Sequence, residues 1–444
     1  MKSVDKHRQT TTEQAVATRT PGRPRRRVPH VRRPASFVLA ALFFFGPAGA
    51  YLAGVRAAPI ENHPLRSFPG LSSGWAFFEQ MSAWSIDHLP LRGEAVRANV
   101  ALNERMFGEP PAYTSGDSGP IDAQALAPSG VQTQQSDQTY PRVIQGTDGW
   151  LYFGGDVSSL CQPQMSVSEV MSRLERLSTA IERSGRRFVF TVAPDKSTVW
   201  PKNLPASYLG EDCATARRTA FWTAVRTHPP TGYFDVRGPI EAVQQRTGQS
   251  SYWKEDTHWG QYAAATYAER LAMRVDPTVF RSPPAISCGG TATRLGDLSA
   301  ILGRPETDTM AACQIAVGDT PITGSFPVVP GSTTPDFGSA PVKIDNRYAA
   351  KVGFSGVRDR TLLLGDSFSS ASRPYLFPLF EDLTLLQNQT AGQSPSRVAD
   401  AIVNSDVVAY EIVERTVAGG QDAFLAERTV QAVERALRAH PLHR

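Results

Sequence analysis

Ser367 is the first residue whose surroundings indicate chemistry. It lies in LLLGDSFSSA, residues 362–371, where an apolar run is followed by Gly-Asp-Ser and small hydroxylated side chains. A serine at the end of a buried strand can act as a nucleophile if a base removes its proton and a third group orients the base. The alternative is that the serine only caps the helix that follows. The nucleophile hypothesis therefore requires a histidine with a carboxylate nearby.

The stretch EDTHW, residues 255–259, contains such a pair. His258 is the histidine of the predicted globular region that has carboxylates beside it and aromatic neighbours. In a serine–histidine–aspartate triad, the aspartate fixes the imidazole tautomer and stabilises the imidazolium. Asp256, two residues before His258, can reach the ring within one loop. The alternative is that Asp256 or Thr257 caps a helix predicted over about 260–275, which leaves His258 merely exposed.

Two residues beside Ser367 are candidates for the oxyanion site. Gly365 permits a tight turn between the strand and the helix. The backbone N–H groups of Ser367 and Phe368 would then face the same space, and the helix dipole favours developing negative charge there. The sequence therefore predicts a nucleophile together with part of an oxyanion hole.

Four further residues are candidates for substrate contacts, each with a structural alternative. Trp259 could stack on a sugar ring or belong to the core. Arg373 and Tyr375 could contact an acyl or sugar group, although the helical spacing of Tyr375 also suits packing. Lys196, at the end of a predicted strand, could line the site or form a surface ion pair.

The elements that must position these residues alternate between strands and helices. Apolar runs predict strands at residues 187–193, 233–236, 360–364, 383–386 and 407–412. Continuous apolar runs are typical of strands covered on both faces. Alternation with helices predicts an α/β fold with a doubly wound, mostly parallel sheet flanked by helices. Active groups in such sheets lie beyond the carboxyl ends of the strands, which is where Ser367 falls. Glu411, inside the last strand, is expected to pair with Arg415 or Lys196, because an unpaired buried charge is costly.

Residues 276–355 interrupt this alternation and are rich in Pro, Gly and Thr, which predicts an irregular insertion with short strands. The insertion contains Cys288 and Cys313, whereas Cys161 and Cys213 precede it. Four cysteines in an oxidising compartment permit two disulfides in three pairings. We expect neighbours to pair, Cys161 with Cys213 and Cys288 with Cys313. The alternative, a zinc site, is disfavoured because no two cysteines are closely spaced and no histidine cluster accompanies them. No metal or cofactor is predicted.

The N-terminal region indicates export. Residues 1–33 contain ten Lys or Arg and two acidic residues, so they carry about +8 of a whole-chain net charge of +4 and leave about −4 for the rest. Residues 36–55 carry no charge and are long enough for one bilayer-spanning helix. Positive charge before an apolar span predicts a cytoplasmic N-terminus and an extracytoplasmic remainder. The alternative is a cleaved signal peptide. With this explanation for the basic tail, nucleic acid is not an expected partner.

Composition divides the chain into six predicted parts. They are a basic cytoplasmic tail (1–33), a transmembrane signal anchor (34–56), an N-terminal helical segment (57–112), a flexible Ser-, Gly-, Pro- and Gln-rich linker (113–141), the catalytic domain (142–430) and a C-terminal helix and tail (431–444). The predicted localisation is the cell membrane, with a single span and the catalytic domain on the extracytoplasmic face.

DTHW together with the downstream LLLGDSFS resembles the alginate O-acetyltransferase family, the AlgJ/AlgX-like proteins with an SGNH-hydrolase-like domain. The stretches ENHPLRSFP, DHLPLR, GTDGWLYF, APDKSTVWPKNLP, LGDLSAILG and VVAYEIVER fit that family in order. The resemblance implies Ser367 as nucleophile, His258 as base and Asp256 as orienting acid. It leaves the oxyanion-binding asparagine of SGNH enzymes unplaced, with Asn388 the nearest candidate by position.

The resemblance further implies an exported, membrane-anchored O-acetyltransferase. An acetyl group would pass through Ser367 to hydroxyls of an extracytoplasmic polysaccharide or cell-envelope glycan, and a membrane-bound O-acyltransferase would be the donor partner. The same triad could instead serve a carbohydrate esterase or deacetylase, because the triad does not decide whether water or a sugar accepts the acyl group. A non-catalytic glycan-binding or scaffold subunit of an envelope assembly is the third alternative.

Overall fold

The computed structural model of the chain describes residues 140–280, 284–317, 320–322, 342–345 and 356–442, together with isolated positions between 45 and 88. The chain divides into two compact units, residues 1–56 and 57–444, and the fold described below belongs to the second. The predicted basic tail, membrane span, N-terminal helical segment and linker fall outside the described residues apart from those isolated positions. Within the described part, none of the helices is both long and apolar enough to cross a membrane.

The strands lie in a five-stranded sheet and three smaller ones. In chain order they are β1 (Val143–Gln145), β2 (Leu151–Phe153), β3 (Arg187–Ala193), β4 (Pro284–Cys288), β5 (Ala292–Leu295), β6 (Thr307–Met310), β7 (Cys313–Val317), β8 (Thr320–Ile322), β9 (Val342–Asp345), β10 (Thr361–Gly365), β11 (Asp382–Gln387) and β12 (Val407–Val413).

The helices connect these strands. They are α1 (Gly155–Cys161), α2 (Val167–Arg183), α3 (Lys196–Val199), α4 (Glu211–Thr227), α5 (Arg237–Thr247), α6 (Gln261–Val275), α7 (Asp297–Ile301), α8 (Ser367–Ala371), α9 (Arg373–Leu376), α10 (Asn388–Gln393), α11 (Pro395–Val403), α12 (Glu414–Ala418) and α13 (Glu427–Ala439). Short 3-10 turns occur at residues 147–149, 201–203 and 377–379.

The main sheet has the order β3-β12-β10-β11-β9. The first four strands are parallel and β9 pairs antiparallel with β11. Alternate residues of each inner strand enter two separate cores, one on each face of the sheet, as Leu363 and Leu364 do on β10. This two-sided burial explains the continuous apolar runs, and the predicted α/β fold with a mostly parallel sheet is confirmed.

Three details differ from the sequence predictions. The predicted strand over 233–236 is reduced to a single bridge between Tyr233 and Phe190. The predicted insertion over 276–355 contains short strands, β4 to β9, and the sequence did not predict that β9 pairs with β11 in the main sheet. The predicted C-terminal helix starts at Glu427 rather than near residue 431, and its Val430 and Val433 are buried.

Two disulfides form in the predicted pairs. Cys161–Cys213 joins α1 to α4, and Cys288–Cys313 joins β4 to β7 at facing positions of their ladder. Both bridges therefore connect elements of the folded domain, and three residues separate Cys288 of the second bridge from the start of β5.

Candidate active site

Ser367 is the first residue of α8 and immediately follows the end of β10. The N-cap of this helix is Asp366, whose Oδ1 accepts the Phe368 N–H at 2.8 Å and whose Oδ2 accepts the Val413 N–H at 2.8 Å. The carboxylate thereby joins the carboxyl ends of β10 and β12. Ser367 is exposed and does not cap the helix, so the capping alternative is excluded.

His258 lies in the loop before α6 and is buried. Its Nδ1 lies 2.8 Å from Asp256 Oδ1, and its backbone N–H donates to the same oxygen at 2.8 Å. Arg294 Nη2 also lies 3.2 Å from Nδ1, but the contact with Asp256 is shorter. Because a carboxylate only accepts hydrogen bonds, the shorter contact favours the proton on Nδ1, and Nε2 is left to accept one. The N-cap of α6 is Gly260, and Asp256 and Thr257 form no cap there. The capping alternative for this loop is therefore also excluded.

The residue after Ser367, Phe368, contacts the ring of His258. The centroids of the Phe368 and His258 rings are 5.1 Å apart, and Ser367 precedes Phe368 in the chain. Among the hydrogen bonds of the described residues, none joins the Ser367 hydroxyl to His258. Hydrogen bonds of this kind are often long without substrate and tighten in the substrate complex.

Asp256 has a second set of partners that the sequence analysis missed. Its Oδ2 accepts from Arg294 Nε at 2.7 Å and from the Asp297 N–H at 3.3 Å. Burial raises the pKa of Asp256, but the charge of His258 and its hydrogen bonds, with the charge of Arg294, outweigh burial and bring the pKa below its ordinary value. Asp256 is therefore held as a carboxylate beside the imidazole.

Asp297 lies on the other side of this loop. Its Oδ1 accepts the Thr257 N–H at 2.7 Å, and its Oδ2 lies 3.5 Å from His258 Nδ1. Burial and the charge of Asp256 raise the pKa of Asp297. Asp297 thus fixes the loop backbone, whereas Asp256 makes the closer contact with the imidazole.

The ligand atoms of Asp256, His258 and Asp297 lie within 4.8 Å of one another, a spacing that a metal ion could use. However, both Asp256 oxygens already accept hydrogen bonds, and the Arg294 guanidinium brings a positive charge into the cluster. This donor set fits an imidazole oriented by a carboxylate better than a metal centre.

Arg294 and Asp297 come from β5 and the start of α7, inside the predicted insertion. Asp297 lies in LGDLSAILG, one of the stretches that carried the family resemblance, and Arg294 stands immediately before it. That stretch was the signal available in the sequence for this part of the site.

Two predicted oxyanion residues have other roles. The Phe368 N–H donates to Asp366, so it is not available to an oxyanion in this structure. Gly365 is buried, and a Cβ there would lie 2.6 Å from Ser369 Oγ and 3.4 Å from Glu411 Oε2. Gly365 therefore permits the close approach of β10 to α8.

The predicted substrate contacts are largely packing contacts. Trp259 is buried, and its Nε1 donates to Ser372 Oγ at 2.9 Å. Tyr375 is buried, and its hydroxyl donates to Gln261 Oε1 at 2.5 Å, while burial raises its pKa to about 12. Arg373 is half-buried and its Nε donates to the Ser370 carbonyl at 2.8 Å. For Trp259 and Tyr375 the core alternative applies.

Lys196 is buried against residues 250–259, the segment before α6 that carries Asp256 and His258 and that we call the catalytic loop. Its Nζ donates to the carbonyl oxygens of Trp253, Lys254 and Asp256 at 2.9, 3.2 and 2.8 Å. Burial lowers its pKa to about 8. Lys196 therefore shapes the loop that carries Asp256 and forms neither a site wall nor a surface ion pair.

The expected pairing of Glu411 is wrong. Its Oε2 accepts from Ser369 Oγ at 2.6 Å, and burial raises its pKa well above the ordinary value, so Glu411 needs no cationic partner. Arg415 pairs instead with Asp195 at 2.5 Å and Asp156 at 3.3 Å.

Asn388, the nearest candidate for the asparagine of SGNH enzymes, is buried, and its side chain donates to Asp422 Oδ1 at 2.9 Å. Its Oδ1 accepts the Ala423 N–H at 3.2 Å. These contacts give Asn388 a structural role.

Part of the chain is similar to one family model. Residues 143–322 match the family model described as "SGNH hydrolase-like domain, acetyltransferase AlgX". Asp256 and His258 lie inside this range and Ser367 lies beyond it.

Two curated relatives are both called "Probable alginate O-acetylase AlgJ". The one from Azotobacter vinelandii is 22% identical over 141 residues, which are 31% of this chain and 34% of the relative. The one from Pseudomonas aeruginosa is 22% identical over 167 residues, 36% of this chain and 41% of the relative. The matched region thus spans less than half the length of these relatives.

Similar solved structures include the O-acetyltransferase domain of Pseudomonas putida AlgJ, with a TM-score of 0.39, 18% identity and coverage of 63% of this chain and 93% of that one. Pseudomonas aeruginosa AlgX gives a TM-score of 0.40, 14% identity and coverage of 66% of each chain. The family match and the two curated relatives confirm the resemblance predicted from the motifs: residues 143–322 of this chain are similar to the SGNH hydrolase-like domain described by the AlgX family model.

Proposed function

We propose that this protein is an O-acetyltransferase that passes an acetyl group through Ser367 to a hydroxyl of an extracytoplasmic polysaccharide. The observation that carries the proposal is the buried His258–Asp256 pair, with a 2.8 Å contact at Nδ1, placed beside the strand end where Ser367 is exposed. The named relatives, described as alginate O-acetylases, support a polysaccharide as the acceptor.

The reaction has two half-steps. Ser367 Oγ attacks the carbonyl carbon of an acetyl ester while His258 Nε2 takes the hydroxyl proton, and the departing alcohol then receives that proton. A sugar hydroxyl next attacks the acetyl-serine and gives its proton to His258, and the regenerated Ser367 oxygen takes it back. Asp256 stays ionised throughout and stabilises the imidazolium.

The cellular setting is part of the proposal. The basic residues 1–33 and the apolar residues 36–55 support a membrane anchor with the catalytic domain outside the cytoplasm. A membrane-bound O-acyltransferase would supply the acetyl group to a protein held in this position. An esterase that uses the same three residues is the competing function.

A transfer assay with the full chain distinguishes these functions. Purified protein is incubated with 4-nitrophenyl acetate and increasing concentrations of an unacetylated oligosaccharide, and sugar products are measured by mass spectrometry. We expect acetylated oligosaccharide from the wild type. Ser367→Ala should reduce the yield by several orders of magnitude, and the exposed, distant Ser396→Ala serves as control. Free acetate alone at every acceptor concentration would contradict transfer and favour the esterase.

A further inference from the structure

A second cleft lies outside the Ser367–His258 site. It is open to solvent, has a volume of about 600 Å³ and is lined by residues of three segments, 147–150, 200–203 and 248–250. This volume lies within the range of pockets that bind small ligands. None of its lining residues takes part in the proposed acyl transfer.

The cleft combines indole rings with polar side chains. Trp150 is half-buried, and its ring centroid lies 5.7 Å from that of the buried Trp200. Lys202 Nζ lies 3.8 Å from the Trp200 ring centroid, and Asp148 and Gln249 are exposed at the rim. A sugar presents a C–H face that packs on an aromatic ring and hydroxyls that need donors and acceptors at its edge. Trp150, the more exposed of the two rings, could provide the aromatic surface, and Lys202, Asp148 and Gln249 could provide the polar groups.

One side chain holds the wall of the cleft in place. Asn203 is buried, and its Oδ1 accepts from Trp200 Nε1 at 3.1 Å while its Nδ2 donates to Thr147 Oγ1 at 3.1 Å and to Asp148 Oδ2 at 3.3 Å. The two turns that form the wall are thus connected before a ligand arrives. A preorganised wall reduces the entropic cost of binding.

Two sets of contacts connect the cleft to the catalytic loop. Lys196 Nζ lies 5.8 Å from the Trp150 ring centroid and donates to the Asp256 carbonyl at 2.8 Å. At the other end of the loop, Ser250 lines the cleft and its Oγ accepts the Tyr252 N–H at 3.0 Å. A ligand in the cleft would therefore contact the segments that support Asp256.

We propose that this cleft is an accessory glycan-binding site. It binds a short segment of the acceptor polysaccharide at some distance along the polymer from the hydroxyl that is acetylated. The inference rests on the proposed function in taking a glycan as the ligand. Binding of the polymer at two places raises the effective concentration of its hydroxyls at Ser367.

Direct binding tests the site independently of catalysis. Two unacetylated hexasaccharides, an oligouronide and a neutral β-glucan, are titrated into the full-length protein in a calorimeter. We expect at least one of them to bind, and Trp150→Ala and Lys202→Ala to weaken its affinity by about tenfold or more. Lys202 is exposed, so its variant tests the cleft even if Trp150→Ala does not fold.

The matched control is Arg237→Ala. Arg237 lies over the Trp222 ring at 4.9 Å, a cation–aromatic pair like that of Lys202 and Trp200, outside the cleft. This variant should bind like the wild type, and so should Ser367→Ala. Absence of binding by both glycans, or unchanged affinity in Lys202→Ala, would overturn the inference. If a glycan binds in the cleft but is not acetylated in the transfer assay, the proposed function is refuted, whereas the glycan-binding site remains supported.

Discussion

The carboxylate of Asp256 accepts hydrogen bonds from His258, Arg294 and Asp297, and these contacts determine how the imidazole can act. With Nδ1 engaged by the carboxylate, Nε2 is the ring atom that can exchange a proton with Ser367. Arg294 keeps Asp256 charged without contacting the acyl group. We therefore regard Arg294 as a positioning residue.

Replacing Arg294 with glutamine should change the pH dependence of ester cleavage. Loss of the cation raises the pKa of Asp256, so at acidic pH a larger fraction of the enzyme has a neutral Asp256, which cannot stabilise the imidazolium that forms when His258 takes the proton of Ser367. The acidic limb of the kcat/KM profile should move to higher pH. On that limb, kcat/KM should fall about tenfold for each pH unit by which the profile moves.

Arg294→Lys should recover part of the wild-type pH profile because it restores the charge. The control is Arg304→Gln. Arg304 lies in the same insertion, residues 276–355, and its guanidinium contacts Gln145. A pH profile of Arg294→Gln that coincides with that of the wild type would contradict this role.

Among the residues of the site, contacts between residues that are close in the chain could be predicted from the sequence. Asp256 and His258 are two residues apart, so their contact needs only one loop. Arg294 reaches the same carboxylate from 38 residues away, and nothing in residue spacing predicts that approach. The choice between core and ligand for Trp259 and Tyr375 depends on tertiary burial, which the sequence left open.

Among the elements, the parallel strands could be predicted because their apolar runs are buried on both faces of the sheet. The positions of the short strands of the insertion could not be predicted in the same way. Its β9 is four residues long and lies at the edge of the sheet, so it lacks a distinctive apolar run. β5 and α7 matter because each delivers one charged residue to the catalytic loop.

The two disulfides should differ in their effect on activity. In the loop-entropy account, removing either one lowers the free energy of unfolding by about 3–4 kcal/mol. Cys288–Cys313 joins β4 to β7 and closes the chain segment that contains β5, the strand of Arg294, whereas Cys161–Cys213 joins α1 and α4. We expect Cys288→Ala with Cys313→Ala to reduce kcat/KM about tenfold below the unfolding transition.

The control is Cys161→Ala with Cys213→Ala, which should lose comparable stability and keep its rate per folded molecule. Urea unfolding and initial rates on the same samples measure both quantities. Equal losses of rate in the two double variants would show that the Cys288–Cys313 disulfide has no specific role in catalysis.

In the whole molecule, buried polar groups connect the carboxyl ends of the central strands. Asp366 joins β10 to β12, and the Asp195 N–H after β3 donates to Glu414 at 3.0 Å. These hydrogen bonds connect the strand ends around Ser367 before substrate arrives, as a preorganised site requires. The disulfides fit an oxidising compartment, in agreement with the proposed extracytoplasmic position.

The central claim is that Ser367 carries the acetyl group and that His258 activates it. The most direct measurement is peptide mass spectrometry of the full-length protein after brief exposure to 4-nitrophenyl acetate and an acid quench. The account predicts one acetyl group on the peptide containing Ser367 in the wild type, and none there in His258→Ala or Ser367→Ala. Undiminished ester turnover in Ser367→Ala, or a turnover-competent acetyl group on another residue, would contradict it.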